Sequence, residues 1–381
     1  MSLRGTREVA AVFLRLGFTA FGGPAAHIAA MEDEVVRRRQ WVTREEFADL
    51  LSAANVIPGP NSTELAIHLG YRRAGWLGLV VAGLCFIVPA TVMVWIVAWW
   101  YVRVGRRPEV AAMFVGMQPV VLAVVVQAVW RLRVSVLRTT RAWVIAVVSV
   151  GALLVGVNEL VVLAGAALCG IGTQRWRKLN ARWSTIIAAN TGIVVGATAV
   201  APVATATTWG VFASFVKIGS VLFGSGYVLV ALLRAEFVQR HPWITEAQLL
   251  DAIAIGQITP GPVFTSATFV GYLLAGHAGA AVATVGIFLP AFFFVAMSGP
   301  LVRRIRQWPV AAAALDGINA ASLAMMATVV LLLRGVALSA SGIPIALLAT
   351  FVLLRTRVGA GWLLLCGALV GIVQLLLVHG S

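Results

Sequence analysis

Charge is what this sequence has least of. Of its 381 residues, 11% are charged and 60% are hydrophobic, whereas ordinary soluble domains carry about 25% charged residues. Mean hydropathy is +0.95. Apolar runs of about 18 or more residues recur along almost the whole length, which is the signature of repeated membrane crossings, and no stretch is left over for a soluble catalytic domain. Cysteine is scarce as well. Cys85, Cys169 and Cys366 lie far apart within apolar runs, so neither a disulfide framework nor a metal-ligand spacing follows from them. The five histidines are scattered, and cofactor-binding loops and haem-ligand patterns are missing. No catalytic residue, metal or cofactor is therefore expected, and a membrane-embedded reductase is disfavoured. The first apolar run carries Arg15 and meets no small-residue cleavage site, so the amino terminus reads as mature sequence.

What is present is a polytopic, all-α membrane protein. A net charge of +15 would suggest nucleic acid for a soluble chain. Here the basic residues sit in short loops between apolar runs and read as orientation signals, so the expected partner is the lipid bilayer and not nucleic acid.

The chain is organised around Trp41 to Leu69, at whose centre Pro58, Gly59 and Pro60 interrupt an otherwise apolar helix. A shift of 202 residues lays Pro260, Gly261 and Pro262 on that triplet, with Trp243, Thr245, Asp251 and Thr265 on Trp41, Thr43, Asp49 and Thr63. Each flanking arm would reach roughly 20 Å, too short for a bilayer core of about 30 Å. Proline removes a backbone donor and clashes with the preceding turn, and lipid cannot satisfy the groups it frees. Such a break is tolerated at membrane depth only inside protein or beside a wet cavity, and paired broken helices in two halves point to a transport site.

An earlier apolar segment, Val9 to Arg37, is broken at Gly22, Gly23 and Pro24. Its copy begins at Phe215 and is broken at Gly224, Ser225 and Gly226. Beyond the triplets the offset falls to 201, carrying Gly70, Tyr71, Gly75, Pro89, Pro108 and Gly116 onto Gly271, Tyr272, Gly276, Pro290, Pro309 and Gly317. Further crossings are expected near Trp76–Tyr101, Gly116–Trp130, Trp143–Val157, Leu160–Gly172 and Thr185–Val203. That odd number predicts two inverted-topology repeats, about ten crossings in all, plus short broken or re-entrant arms. Treating Trp143 to Gly172 as one crossing would make the repeats parallel. A cytoplasmic amino terminus puts 21 of the 29 lysines and arginines inside and six outside, in keeping with the positive-inside rule. The expected division is a first repeat over 1–173, a basic linker and connecting helix over 174–209, and a second repeat over 210–381.

These residues together resemble the chromate ion transporter (CHR) family. The likeness rests on Phe13 to Gly23, His27, Trp41, Phe47, Pro58 to Pro60, the Gly70 and Gly75 region, and the partner segment around Pro260 to Pro262. It implies an inner-membrane carrier that exports chromate, built from two homologous halves. Leu229 stands where the second half would need a match for His27, so the halves are not equivalent.

The residues give an anion site its own physical case. Breaks after Gly23, Gly59, Gly224 and Gly261 each begin a helical arm, and helix starts offer unpaired donors with about half a positive charge. Arg15 and Lys217, at equivalent positions, would add full charges, although either could instead snorkel to the interface. Asn61, Ser62, Thr63, Thr265 and Ser266 could donate to a tetrahedral oxyanion or merely cap the arms. Glu64 and His68 share a helix face and form either a proton relay or a local ion pair near Arg72 and Arg73. Gln118 and Asn319, equivalent in the two copies, suit interhelical hydrogen bonds first and substrate contact second. A sulfate or general oxyanion carrier and an anion channel stay open as alternatives, as does a homodimer.

Overall fold

The computed structural model describes residues 3–105, 107–179, 206–223, 226–298, 309–337, 342–356 and 358–379. The expected crossing Thr185–Val203, most of the linker, and the site residues Gly224 and Ser225 lie outside them. Among the described residues the chain is helical, without a strand. The first half runs α1 (Leu3–Thr19), α2 (Pro24–Glu32), α3 (Arg44–Ala54), α4 (Asn61–Val104), α5 (Pro108–Val136), α6 (Thr140–Leu154) and α7 (Glu159–Leu179). The second runs α8 (Thr208–Val221), α9 (Val228–Arg234), α10 (Glu246–Ile258), α11 (Ser266–Ser298), α12 (Pro309–Ala337), α13 (Gly342–Arg355) and α14 (Ala360–His379). Element follows element in the same order. Even the local irregularities recur: α2 passes into a π-helical turn over Asp33–Arg38 and α9 into one over Ala235–Arg240, and capping boxes at Thr43/Glu46 and Thr245/Gln248 start α3 and α10.

Helix α4 is two limbs. Ala74 and Gly75 leave helical geometry, with Gly75 at φ 65°, and beyond them the chain folds back. Gly70 and Gly78 face one another so closely that the carbonyl of each occupies the space a Cβ on the other would need. Ala275 and Gly276 make the same bend in α11, with Gly271 against Gly279. The arm 61–73 is therefore short, and the limb 76–104, at about 1.5 Å per residue, is long enough to cross.

Breaks elsewhere set the remaining path of the first half. Glu8 pairs with Arg73 at 2.5 Å, just before the bend, while Gly17 lies against Cys85, Phe86 and Pro89, so α1 and the long limb of α4 run side by side in one direction. After the break at Gly22–Gly23, α2 brings the chain back toward the bend, where the Arg73 guanidinium sits 5.3 Å from the Trp41 ring. Helix α3 goes in again and the short limb of α4 returns, with Arg72 on Glu46 at 2.6 Å. Two helical hairpins thus enter from the same end. Trp143 to Gly172 forms two helices, separated by a turn in which Gly156 takes φ 86° and the Asn158 side chain accepts from the Leu160 N–H.

The halves are interlocked. Helix α14 packs on α5, and α7 packs on α12. Small residues permit both crossings: Gly116 abuts Gly367 and Gly371, and at the equivalent positions Gly317 abuts Ala166 while Gly170 abuts Ala313. Outward faces are apolar. Val80, Leu84, Val88, Val92 and Ile96 form an exposed stripe four residues apart along α4, and Val285, Leu289, Phe293 and Met297 repeat it along α11. In water such stripes would drive association; in a bilayer they face acyl chains. Among the described residues five helices are long and apolar enough to cross a membrane.

Candidate oxyanion site

Described residues at or beside the four breaks are brought together. The Gly59 N–H donates to the Leu222 carbonyl at 2.7 Å, and the Gly261 N–H donates to the Ala20 carbonyl at 2.9 Å. These bonds are equivalent under the 202-residue shift: the second break of each half is tied to the first break of the other. Only glycine fits there. Gly59 and Gly261 adopt φ 141° and 87°, and a Cβ on Gly261 would lie 2.7 Å from that of Ala90. The first breaks also approach each other, with a Cβ on Gly23 falling 3.5 Å from the Tyr227 hydroxyl and one on Gly226 3.7 Å from the Pro24 ring. Pro24 opens α2 at the position where its missing N–H costs nothing. Pro58, Pro60, Pro260 and Pro262 hold the turns between arms.

His27 clamps the first half. Its Nε2 lies 3.1 Å from the Ala20 carbonyl and its Nδ1 3.4 Å from the Ser62 hydroxyl. A carbonyl only accepts, so Nε2 carries the proton and Nδ1 accepts from Ser62. The ring is buried edge-on against Phe86 at 5.5 Å. Leu229, in the place of this histidine, is fully buried and makes no such bridge.

The two cations differ. Lys217 is bound to Glu236 at 2.6 Å, and Arg240 shares the same carboxylate at 2.5 Å. Arg15 is exposed on α1, with its backbone carbonyl taking the Thr19 hydroxyl. The carboxylate equivalent to Glu236 is Glu34, which takes Arg39 at 2.6 Å instead.

Polar residues beyond the triplets also split by half. Thr265 and Ser266 return their hydroxyls to the Pro262 and Val263 carbonyls, so they finish the turn into α11. In the first half Thr63 Oγ1, both carboxyl oxygens of Glu64 and His68 Nε2 are buried and have no hydrogen-bond partner among the described residues. Glu64 and His68 therefore do not form the local ion pair expected near Arg72 and Arg73, and those arginines are taken by Glu46 and Glu8. The Glu64 carboxyl lies against Gly59, at the break itself. Asn61 donates to the Asn55 side chain at 2.6 Å. Gln118 and Asn319 part company: Gln118 donates to Asp251 at 3.2 Å, whose other oxygen takes the Tyr101 hydroxyl at 2.8 Å, whereas Asn319 lines a recess beside Asn55 and Asn61.

Several of these partners were not apparent from sequence. Ala20 and Leu222 act through carbonyls, which leave no trace in side-chain identity, although the shift pairs them. Glu236 was findable, since Glu34 and Glu236 stand in register. Tyr101 and Asp251 are 150 residues apart, and no periodicity links them.

Helices interrupted in pairs, lipid-facing stripes and a polar centre define a membrane transport protein made of two repeats. The chain belongs to the chromate transporter family, which matches it twice, over residues 7–171 and 209–372. It is 33% identical to a chromate transport protein of Cupriavidus metallidurans, over 98% of this chain and 94% of that one. A chromate transport protein of Pseudomonas aeruginosa is 34% identical over 75% and 71%, and a probable chromate transport protein of Synechococcus elongatus 31% over 86% and 84%. No solved structure matches the chain. Its relatives are transport proteins and not enzymes.

Proposed function

We propose that this protein is a secondary carrier that exports chromate across the inner membrane by alternating access. The observation that carries the reading is the reciprocal pair of bonds, Gly59 to Leu222 and Gly261 to Ala20. It makes the centre a joint between two homologous halves, and a joint of that kind can rock. Export of a divalent anion gains about 4.6 kcal/mol from a 100 mV inside-negative potential, at about 2.3 per charge, so potential alone can drive it. Arg15 supplies attraction for the anion, Lys217 becomes available when it leaves Glu236, and the arms starting at Pro24 and Asn61 offer backbone donors. Any proton exchange runs through Glu64 and His68.

The repeats are inverted in this reading. Glu8 and Glu46 gather at the first hairpin bend, near the start of the long limb of α4. Trp95, some 28 Å farther along that limb at 1.5 Å per residue, donates to His277 beside the second bend at 3.0 Å. This separation supports a reading in which the two bends belong to opposite membrane faces. Four crossings in each half, with the connecting one that hydropathy expects over Thr185–Val203, give the odd parity required, one fewer than the ten expected from hydropathy. The loop distribution of basic residues supports a cytoplasmic amino terminus.

Uptake of labelled chromate into inside-out vesicles, at fixed potential and with excess sulfate, tests the reading. Saturable uptake that collapses with the potential and resists sulfate supports it. Uptake fully suppressed by sulfate, with sulfate itself carried, would replace it by a general oxyanion carrier. Arg15→Ala and Lys217→Ala should each lower flux with insertion intact; normal flux in both removes the charged pair from the account.

A further inference from the structure

A recess of about 160 Å³ opens beside the first Pro-Gly-Pro break, between α3, the start of α4, the end of α5, the start of α9 and the middle of α12. Its polar lining is Asn55, Asn61, Ser135, Asn319 and Ser322. All five are neutral; the Ser135 hydroxyl donates to the Leu132 carbonyl and the Asn61 amide to Asn55, and among the described residues no carboxylate lines the recess. Ser322 is 3% exposed, and its hydroxyl has no partner among the described residues. A buried hydroxyl left unmatched costs about 1–3 kcal/mol, so a ligand that accepts from it recovers that cost. Asn61 begins the short limb of α4, adding the partial positive charge of a helix start.

The equivalent place in the other half keeps a buried amide, Gln257, for Asn55 but differs elsewhere. Val263 stands for Asn61 and Val121 for Ser322, both buried, and Gln118, standing for Asn319, is spent on Asp251. The pair Asn61 and Ser322 is therefore particular to one half.

We infer that this recess is the binding site for a single small tetrahedral oxyanion, with Asn319 and Ser322 on α12 as its specific donors and Asn61 at its rim. The inference rests on the carrier reading above and deepens it. It differs from the charged-pair expectation, because recognition here comes from neutral donors, which grip a dianion without holding it too firmly to release.

The test is the apparent KM for chromate in vesicles. Ser322→Ala removes one donor, and KM should rise about tenfold, while thermal stability stays unchanged or improves because the hydroxyl had no protein partner to lose. Asn319→Asp puts a carboxylate against the anion and should raise KM further, whereas Asn319→Ser, which keeps a donor, should fall between. Unchanged KM in Ser322→Ala overturns the site even if the Asn319 variants fail to insert. Absence of saturable chromate uptake by the unmodified protein would instead remove the carrier reading, and the recess would lose its ligand with it.

Discussion

Alanine at Gly261 separates two costs that the fold combines at its centre. Gly261 adopts φ 87° and Gly276 φ 58°, so a side chain at either position incurs backbone strain of about 1–3 kcal/mol. Their surroundings differ. A Cβ on Gly276 meets nothing within 4 Å, whereas one on Gly261 lies 2.7 Å from the Ala90 Cβ. Pushing a methyl into packed surroundings costs about 1–3 kcal/mol more, and any shift that relieves it lengthens the Gly261 bond to Ala20. Gly261→Ala should therefore lose about 2–6 kcal/mol and Gly276→Ala about 1–3, from the same principles. The assay is thermal unfolding in detergent followed by tryptophan fluorescence, with chromate uptake measured in parallel. Gly261→Ala should lower the midpoint more and abolish flux; Gly276→Ala should keep most of both. Equal losses of stability and flux would refute the claim that the breaks are packed against one another across the two halves.

Two other positions yield expectations of the same kind. Tyr101→Phe frees one oxygen of buried Asp251 and should cost about 1–3 kcal/mol, while loosening α10 from α4, measurable as faster hydrogen exchange in α10; unaltered exchange would mean that the bond fixes nothing. Gly317→Val and Gly116→Val each drive a side chain into a neighbouring backbone carbonyl and should destabilise comparably, by about 1–3 kcal/mol or more, whereas Gly172→Ala, with open space around it, should be neutral on packing grounds. A large difference between the first two would break the equivalence of the α5–α14 and α7–α12 crossings.

The duplicated breaks were legible because proline and glycine act locally, and their consequences for the backbone need no tertiary information. The offset of 202 residues carries not only the triplets but the π-helical turns and capping boxes, so the shared order of elements followed from sequence as well. The hairpin bends at Gly75 and Gly276 lay within the matched stretch, yet nothing local distinguishes a glycine that folds a helix back from one that merely packs. Sites were harder. Lys217 reads as an intramembrane charge until Glu236 is brought beside it, and Thr265 and Ser266 read as ligands until their hydroxyls are seen turned to the backbone. The recess escaped sequence altogether: Asn55, Asn61, Asn319 and Ser322 come from three helices in two halves, and only the interlocked packing brings them together.

Counterflow is the measurement that bears most directly on the central claim of a rocking joint. Proteoliposomes preloaded with unlabelled chromate are diluted into a trace of labelled chromate at zero potential. A carrier returns to the outer face loaded, so label should accumulate transiently inside above its equilibrium level and then decline. A monotonic rise to equilibrium, unaffected by preloading, would identify a channel and contradict alternating access through the joined breaks.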